Sequence, residues 1–328
     1  MKKILVFGAA GNIGAYFVDY CLSRLSKEYK VIAIDRKRTS FFEKRGVDYL
    51  PFDVVNGDYS KLPADDVHAI VNLVGLLPAY SKEFNPIDYI NVNIIGSVKI
   101  LEYAKKISCD RVLYTQTWSD LAGYWGKETL LKPDMQRKLL FKGDHAFYSI
   151  TKSMVVDTMQ YYKEEFGIKN FVFRLPNVYL YSPRTSYFVD GVERKVGYRY
   201  MIEQACSGKD LEMWGDPNAF KDILYVKDLC QMMYKALFVN SSGGVYNAGT
   251  GVKTTLREQI QGMIDVFGCN KDIKIIERPE KGSFTSFVMD IEKTKKDLGY
   301  SPEYFYKDYL EDYKKEKDLK RFDELWEG

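Results

Sequence analysis

A parallel, doubly wound α/β sheet is the fold this sequence predicts, and three observations predict it. The apolar run Ile4-Leu5-Val6-Phe7 breaks at once into Gly8-Ala9-Ala10-Gly11-Asn12-Ile13-Gly14, and a helical segment, Ala15 to Leu25, follows. Short apolar runs then alternate with helical periodicity as far as Leu175, the mark of repeated β-α units. Small, acidic and hydroxyl residues gather just after those runs, at Gly8, Asp35, Asp53, Gly75 and Thr117. Open parallel sheets bind ligands at those C-terminal strand ends.

The elements follow in order. Lys30 to Asp35 reads as a second buried strand, ending in an acid. Val47 to Phe52 reads as a third, with Asp53-Val54 after it, and Ala69 to Gly75 as a fourth, closing on Val74-Gly75. From Pro86 to Ala104, Ile90, Ile94, Val98 and Leu101 recur at helical spacing. Arg111 to Thr115 is a fifth strand. Asp144 to Tyr162 is helical and carries Tyr148 and Lys152 four residues apart, on one face. Phe171 to Leu175 is a sixth strand, ending at Pro176-Asn177. Residues 1–178 form the nucleotide-binding domain on this reading.

Beyond Tyr179 the texture changes. Tyr181 to Gly197 is rich in Tyr, Arg, Pro and Gly, with poor periodicity, and marks a domain boundary. Residues 179–328 read as a smaller α/β substrate domain, with the chain returning to the first domain at 223–251. Within it, 200–207, 254–267 and the second part of 223–238 are helical, and 211–214, 244–247 and 273–276 are strands. Phe305 to Trp326 is so highly charged that it predicts a solvated closing helix.

At 328 residues the chain can bury a sizeable core. A net charge of +3 and a pI near 8.3, with no basic stripe, argue against nucleic acid. The five cysteines are scattered and form no C-x-x-C pair, which points to free thiols in a reducing compartment and against zinc. Only His68 and His145 are present, too few for a His-rich metal site. No apolar segment is long enough to span a bilayer. Met1-Lys2-Lys3 leads into the glycine turn, not a cleavage site. The expectation is a cytoplasmic protein with no metal and no membrane partner. The 26 tyrosines have no explanation at this level.

A buried strand, a glycine turn and a helix start are the parts of a dinucleotide site. Gly8 permits the tight turn, Gly11 lets backbone amides near Asn12 and Ile13 approach a pyrophosphate, and Gly14 lets helix and strand pack closely. Free amides and the helix dipole favour the anion. Asp35 lies about 20 residues on, where a carboxylate accepts from both ribose hydroxyls. That favours NAD; Arg36 and Arg38 keep NADP as the lesser option. The plain alternative is a ligand-free glycine turn and an ordinary strand-end carboxylate.

With Tyr148 and Lys152 in place, the chain resembles the extended short-chain dehydrogenase/reductase family, in the nucleotide-sugar epimerase/dehydratase branch that includes UDP-glucose 4-epimerase-like enzymes. The resemblance runs from Lys3 to about Pro302. Gly8, Gly11 and Gly14 match its G-x-x-G-x-x-G; Asn85-Pro86, Tyr89 and Val92-Asn93 to Ser97 match its N-P-x-x-Y-x-x-x-N helix; Tyr148 and Lys152 match Y-x-x-x-K. Arg174 to Tyr179, Trp214-Gly215-Asp216, Lys221 to Asp228, and Leu298 to Pro302 match its later motifs. The resemblance implies a Rossmann-type fold and a homodimer. It implies cofactor contacts at Asp53, Val54, Val74, Gly75, Asn93, Tyr148 and Lys152, and substrate contacts at Asn177, Arg184, Lys221 and Arg278. Thr117 takes the catalytic hydroxyl position. The two acids that 4,6-dehydratases carry next are Trp118 and Ser119 here, and Asp120 falls one place late. The family's diphosphate-gripping arginine is Lys221, which neutralises charge but lacks the bidentate fork.

The chemistry these residues can do is removal of a proton from a sugar hydroxyl while its carbon gives up hydride. A tyrosine can be that base only if its phenolate is accessible, and bringing its pKa from ~10 to about 7 needs ~4 kcal/mol of differential stabilisation. Lys152, one turn away, supplies positive charge, and Thr117 positions the hydroxyl. The expected function is an NAD-dependent nucleotide-sugar epimerase, in sugar supply for surface polysaccharide. The alternatives are a dehydrogenase or reductase of the same fold, a 4,6-dehydratase, and a non-catalytic dinucleotide sensor or scaffold.

Overall fold

The computed structural model describes residues 1–80, 82–269, 272–282 and 284–326. Seven strands form one sheet: β1 (Lys2–Phe7), β2 (Tyr29–Asp35), β3 (Asp48–Pro51), β4 (Val67–Asn72), β5 (Arg111–Thr117), β6 (Lys169–Leu175) and β7 (Gly243–Asn247). Their order is β7-β6-β5-β4-β1-β2-β3, every neighbouring pair parallel. The order reverses between β1 and β4, so a crevice opens at their C-terminal ends. The sheet is of the Rossmann type.

Period-two alternation sorts the strand side chains onto two cores. Ile4 and Val6 face one, with Tyr16, Phe17 and Val18 of α1 (Asn12–Leu22). Leu5 and Phe7 face the other, with Ile100 and Leu101 of α2 (Gly96–Lys106) and Val155 and Met159 of α3 (Asp144–Phe166). Helices cover both faces, which is why β1 reads as a continuous apolar run.

The helix read over Pro86–Ala104 is not uniform. A short α-turn, Pro86–Tyr89, widens into a π-turn at Ile90–Ile95 before α2 begins. The π-turn carries Asn93, whose amide accepts from the Leu76 N–H at 2.7 Å and donates to Thr151 Oγ1 at 3.0 Å. A buried carboxamide with both ends satisfied holds the loop after β4. The stretch read as an irregular loop at Tyr181–Gly197 contains an antiparallel hairpin, Ser186–Val189 with Val192–Lys195. Its turn residues, Asp190 and Gly191, both have positive φ, and the Asp-Gly pair was its overlooked signal.

The closing segment is solvated on one face only. Helix Tyr306–Leu319 buries Tyr309, Leu310, Tyr313 and Glu316, and Asp323–Trp326 turns back onto the nucleotide-binding side. Charge misled because Glu316 is held between Lys227 at 2.8 Å and Arg321 at 2.7 Å, and pairs inward. The same region accounts for many tyrosines. Tyr179–Tyr198 and Tyr225–Tyr309 meet at a tilt, and Tyr181–Tyr313 edge-on, at 4.7, 5.2 and 5.8 Å. Tyr225 donates to Asp312 and Tyr181 to Asp323, so these two rings build core while their hydroxyls find acceptors. Among the described residues, no helix is long and apolar enough to cross a membrane, and no side-chain cluster could hold a metal ion.

Candidate active site

The glycine loop is shaped so that only glycine fits. Gly8 has φ +80°, and a Cβ there would lie 2.8 Å from the Leu73 carbonyl carbon. A Cβ at Gly14 would lie 2.1 Å from the Gly8 oxygen. Gly11 is the N-cap of α1, with no side-chain cap and no acid in the first turn. The first-turn amides, at Asn12 and Ile13, therefore have no capping side chain, and the dipole there has no acidic side chain to offset it. This cradle fits a pyrophosphate.

Asp35 closes the loop from β2. Its Oδ2 accepts from the Ala10 N–H at 3.0 Å and its Oδ1 from the Lys37 N–H at 3.0 Å. A carboxylate oxygen has a second lone pair, so both remain able to accept a ribose hydroxyl. Asp35→Ala should weaken NAD about tenfold and narrow the preference over NADP, with Arg36 then able to help a 2′-phosphate. Calorimetry with both dinucleotides checks this; tighter binding of NADP by the parent protein would refute the assignment. Asp53 shapes the turn after β3, accepting from the Val55 N–H at 2.7 Å. Val54 is buried against α2, and the Val74 N–H donates to Asn72 Oδ1 at 3.1 Å.

The candidate catalytic side chains lie between β5 and α3. Thr117 ends β5 and caps the short helix Trp118–Tyr124, its Oγ1 accepting from the Ser119 N–H at 3.2 Å and donating to Ser119 Oγ at 3.2 Å. Lys152 is 3% exposed, with its Nζ 4.0 Å from the Tyr114 ring centroid. It pairs with no carboxylate among the described residues, and burial pulls its ammonium down to about 7. A Cβ on Gly75 would sit 3.7 Å from that Nζ, so the loop after β4 passes directly over it. Burial pushes the Tyr148 phenol up, helped by Tyr80 and Tyr89. In so dry a place, phenolate and ammonium are each costly alone and favour each other when formed together.

Asp120, one place beyond the dehydratase acid positions, turns away from the cleft. It is 1% exposed and paired with Arg174 at 3.0 Å. Arg174 also donates to the Pro133 carbonyl at 3.1 Å and to Asn247 Oδ1 at 3.2 Å. Its role is a buried tie among three segments.

One cleft of about 600 Å³ runs from Asn12 and Ile13 past Gly75, Thr117, Tyr148 and Lys152 to Asn177, Arg184 and Lys221. Lys221 lies 3.8 Å from the Phe284 ring centroid, and burial pulls it down to about 8. Arg278 does not join them; it pairs with Glu212 at 3.2 Å on the ribbon formed by Leu211–Trp214 and Ile275–Arg278, and would have to leave that partner to reach the cleft. The sequence reading missed Tyr80 and Arg199, which also line the cleft. Tyr80 accepts from Asn12 Nδ2 at 3.1 Å and lies 4.5 Å beneath the Arg184 guanidinium. Among the described residues lining the cleft there is no carboxylate, while Lys152, Arg184, Arg199 and Lys221 all reach it.

The model of the NAD dependent epimerase/dehydratase family matches residues 4–249. Among curated proteins, the chain is 26% identical over 319 residues to the low-salt glycan biosynthesis protein Agl12 of Haloferax volcanii, covering 94% of this chain and 96% of that one. It is 25% identical over 312 residues to UDP-glucuronic acid decarboxylase 3 of Arabidopsis thaliana, covering 92% and 84%. Among solved structures, UDP-glucuronic acid 4-epimerase from Bacillus cereus, in complex with UDP-glucuronic acid and NAD, has a TM-score of 0.74 at 23% identity, over 96% of this chain and 99% of that one.

Proposed function

We propose that this chain, which belongs to the NAD dependent epimerase/dehydratase family, is a nucleotide-sugar epimerase that retains its dinucleotide through each turnover. The observation that carries this reading is the cleft itself. It joins the dinucleotide loop to Thr117, Tyr148 and buried Lys152, and it offers cations without a carboxylate among the described residues. A dehydration needs an acid and a base beside the sugar carbon that loses hydroxide. The one acid near those positions, Asp120, is held in its pair with Arg174.

NAD, when bound, supplies the hydride acceptor and later the hydride donor. The protein's part is the proton and the alignment. Tyr148 accepts the proton of the sugar hydroxyl, with the Lys152 ammonium stabilising the phenolate. Thr117 holds the same hydroxyl by accepting or donating a hydrogen bond. Arg184 and Lys221 neutralise the diphosphate, and Asn177 lines the same cleft. Glycan biosynthesis in the Haloferax relative's name supports sugar supply for surface polysaccharide, which we place in the cytoplasm.

Incubation with UDP-hexoses and UDP-hexuronic acids tests the reading, with products resolved by NMR and nicotinamide followed by absorbance. The expected outcome is an epimeric sugar with no net reduced nicotinamide. Accumulating NADH, a dehydrated keto-sugar, released carbon dioxide or the absence of turnover would each replace it with another reading.

The assembly is a second expected outcome. Ile87, Ile95, Met154 and Tyr161 are 59%, 39%, 51% and 56% exposed on the adjoining helical segments 86–106 and 144–166. Exposed apolar side chains on two adjoining helical segments suit an isologous homodimer. Light scattering should return twice the 38.0 kDa chain mass at micromolar concentration. A monomer mass there would sink the dimer.

A further inference from the structure

The last described turn of the chain reaches back to the dinucleotide loop. Trp326 Nε1 donates to the Ala10 carbonyl at 3.1 Å. Ala10 is the residue whose N–H is held by Asp35. The Trp326 and Phe322 rings lie 6.2 and 4.7 Å from Tyr16 of α1. One residue earlier, the Leu325 carbonyl accepts from Lys37 Nζ at 2.7 Å. Arg321 pairs with Asp19 at 2.6 Å, and Lys44 pairs with Glu324. Asp323 accepts from the Tyr181 hydroxyl at 3.1 Å, three residues before Arg184 in the cleft wall.

We infer that Arg321–Trp326 is a clasp that positions the dinucleotide and helps the site choose NAD over NADP. Two arguments lead there. Ala10 is fixed on both sides by residues far away in sequence, its amide by Asp35 and its carbonyl by Trp326. The amides that follow it are thereby aimed before any ligand arrives, and preorganisation of this kind raises affinity. The second argument concerns Lys37. It sits in the basic run Arg36-Lys37-Arg38 that follows Asp35, the segment from which a cation could meet a 2′-phosphate. Its N–H is bound to Asp35 and its ammonium to the Leu325 carbonyl, so one of the three cations that follow the ribose acid is engaged by the clasp and not offered to a 2′-phosphate. Trp326 is thus a positioning residue, and the clasp acts on specificity by keeping the Lys37 ammonium occupied; neither residue is assigned to the chemistry.

The inference rests on the dinucleotide site alone and not on the sugar reaction, so it is tested without substrate. The experiment uses the full chain stripped of dinucleotide, with NAD and NADP dissociation constants measured by calorimetry. Trp326→Phe keeps a ring and removes the donor. It should weaken NAD about fivefold, the usual worth of one such hydrogen bond, while the melting temperature of the unliganded protein stays close to the parent's. Lys37→Met should leave the ratio of NAD to NADP affinity within about twofold of the parent's, because the ammonium is already engaged. In the double variant the two effects should simply multiply. Unchanged NAD affinity in Trp326→Phe would overturn the positioning role. A several-fold loss of NADP affinity in Lys37→Met would overturn the specificity role, since it would show Lys37 already reaching the 2′-phosphate.

Discussion

Replacing Tyr148 by phenylalanine should lower turnover by ~10²–10⁴, the range that a positioned general base contributes, and leave the fold and NAD binding intact. The substitution removes one oxygen. The ring remains on α3, and Lys152, Asp35 and the glycine loop keep their contacts. No described side chain is hydrogen-bonded to the Tyr148 hydroxyl, so its loss orphans no partner. Thr117→Val should cost less than Tyr148→Phe, for it removes positioning and keeps the proton acceptor. It also deletes the cap of Trp118–Tyr124, so a stability loss of about 1 kcal/mol should accompany it. The ordering is what matters: kcat and NAD affinity are measured for both variants beside the parent. Full activity in Tyr148→Phe would end the mechanism and revive a binding or scaffold role.

What the sequence displayed and what it concealed divide along the range of the interactions. The glycine loop was legible because its constraint is local: a positive φ at Gly8 and a contact between Gly8 and Gly14 that excludes any Cβ. The Tyr148–Lys152 pair was legible because helical spacing puts both on one face. Asp120 was visible as a misplaced acid, but its pairing with Arg174 joins the short helix after β5 to β6 and could not be read from spacing. Tyr80 and Arg199 carry no motif, and only the loop after β4 and the helix Gly197–Cys206 that follows the hairpin bring them to the cleft. The buried face of the closing segment was hidden for the same reason. Its charges looked solvated, yet Glu316 pairs inward and Trp326 meets Ala10 across 316 positions of sequence.

Lys152→Met should abolish most turnover and weaken NAD, and at neutral pH it should stabilise the unliganded protein. The three effects share one cause. Burial costs the ammonium, drawing its pKa from 10.5 in the free side chain to about 7 in the fold. Between those values the unfolded chain holds the proton and the folded chain releases it. Stability from this group therefore rises with pH from about 7 to 10.5, and below 7 the folded protein carries the buried charge at full cost. Methionine occupies similar volume without that cost. At pH 7 the variant should gain as much as ~4 kcal/mol, and the gain should fade as the pH approaches 10. Denaturant unfolding of both proteins at the two pH values measures the difference, which cancels the other titrating groups. Saturating NAD should reverse the ranking, because the parent alone gains a ribose contact and a counter-charge for the phenolate. A variant that is less stable than the parent without NAD would mean that Lys152 is held by a favourable partner in the fold, and the strained cation assigned to catalysis would not exist.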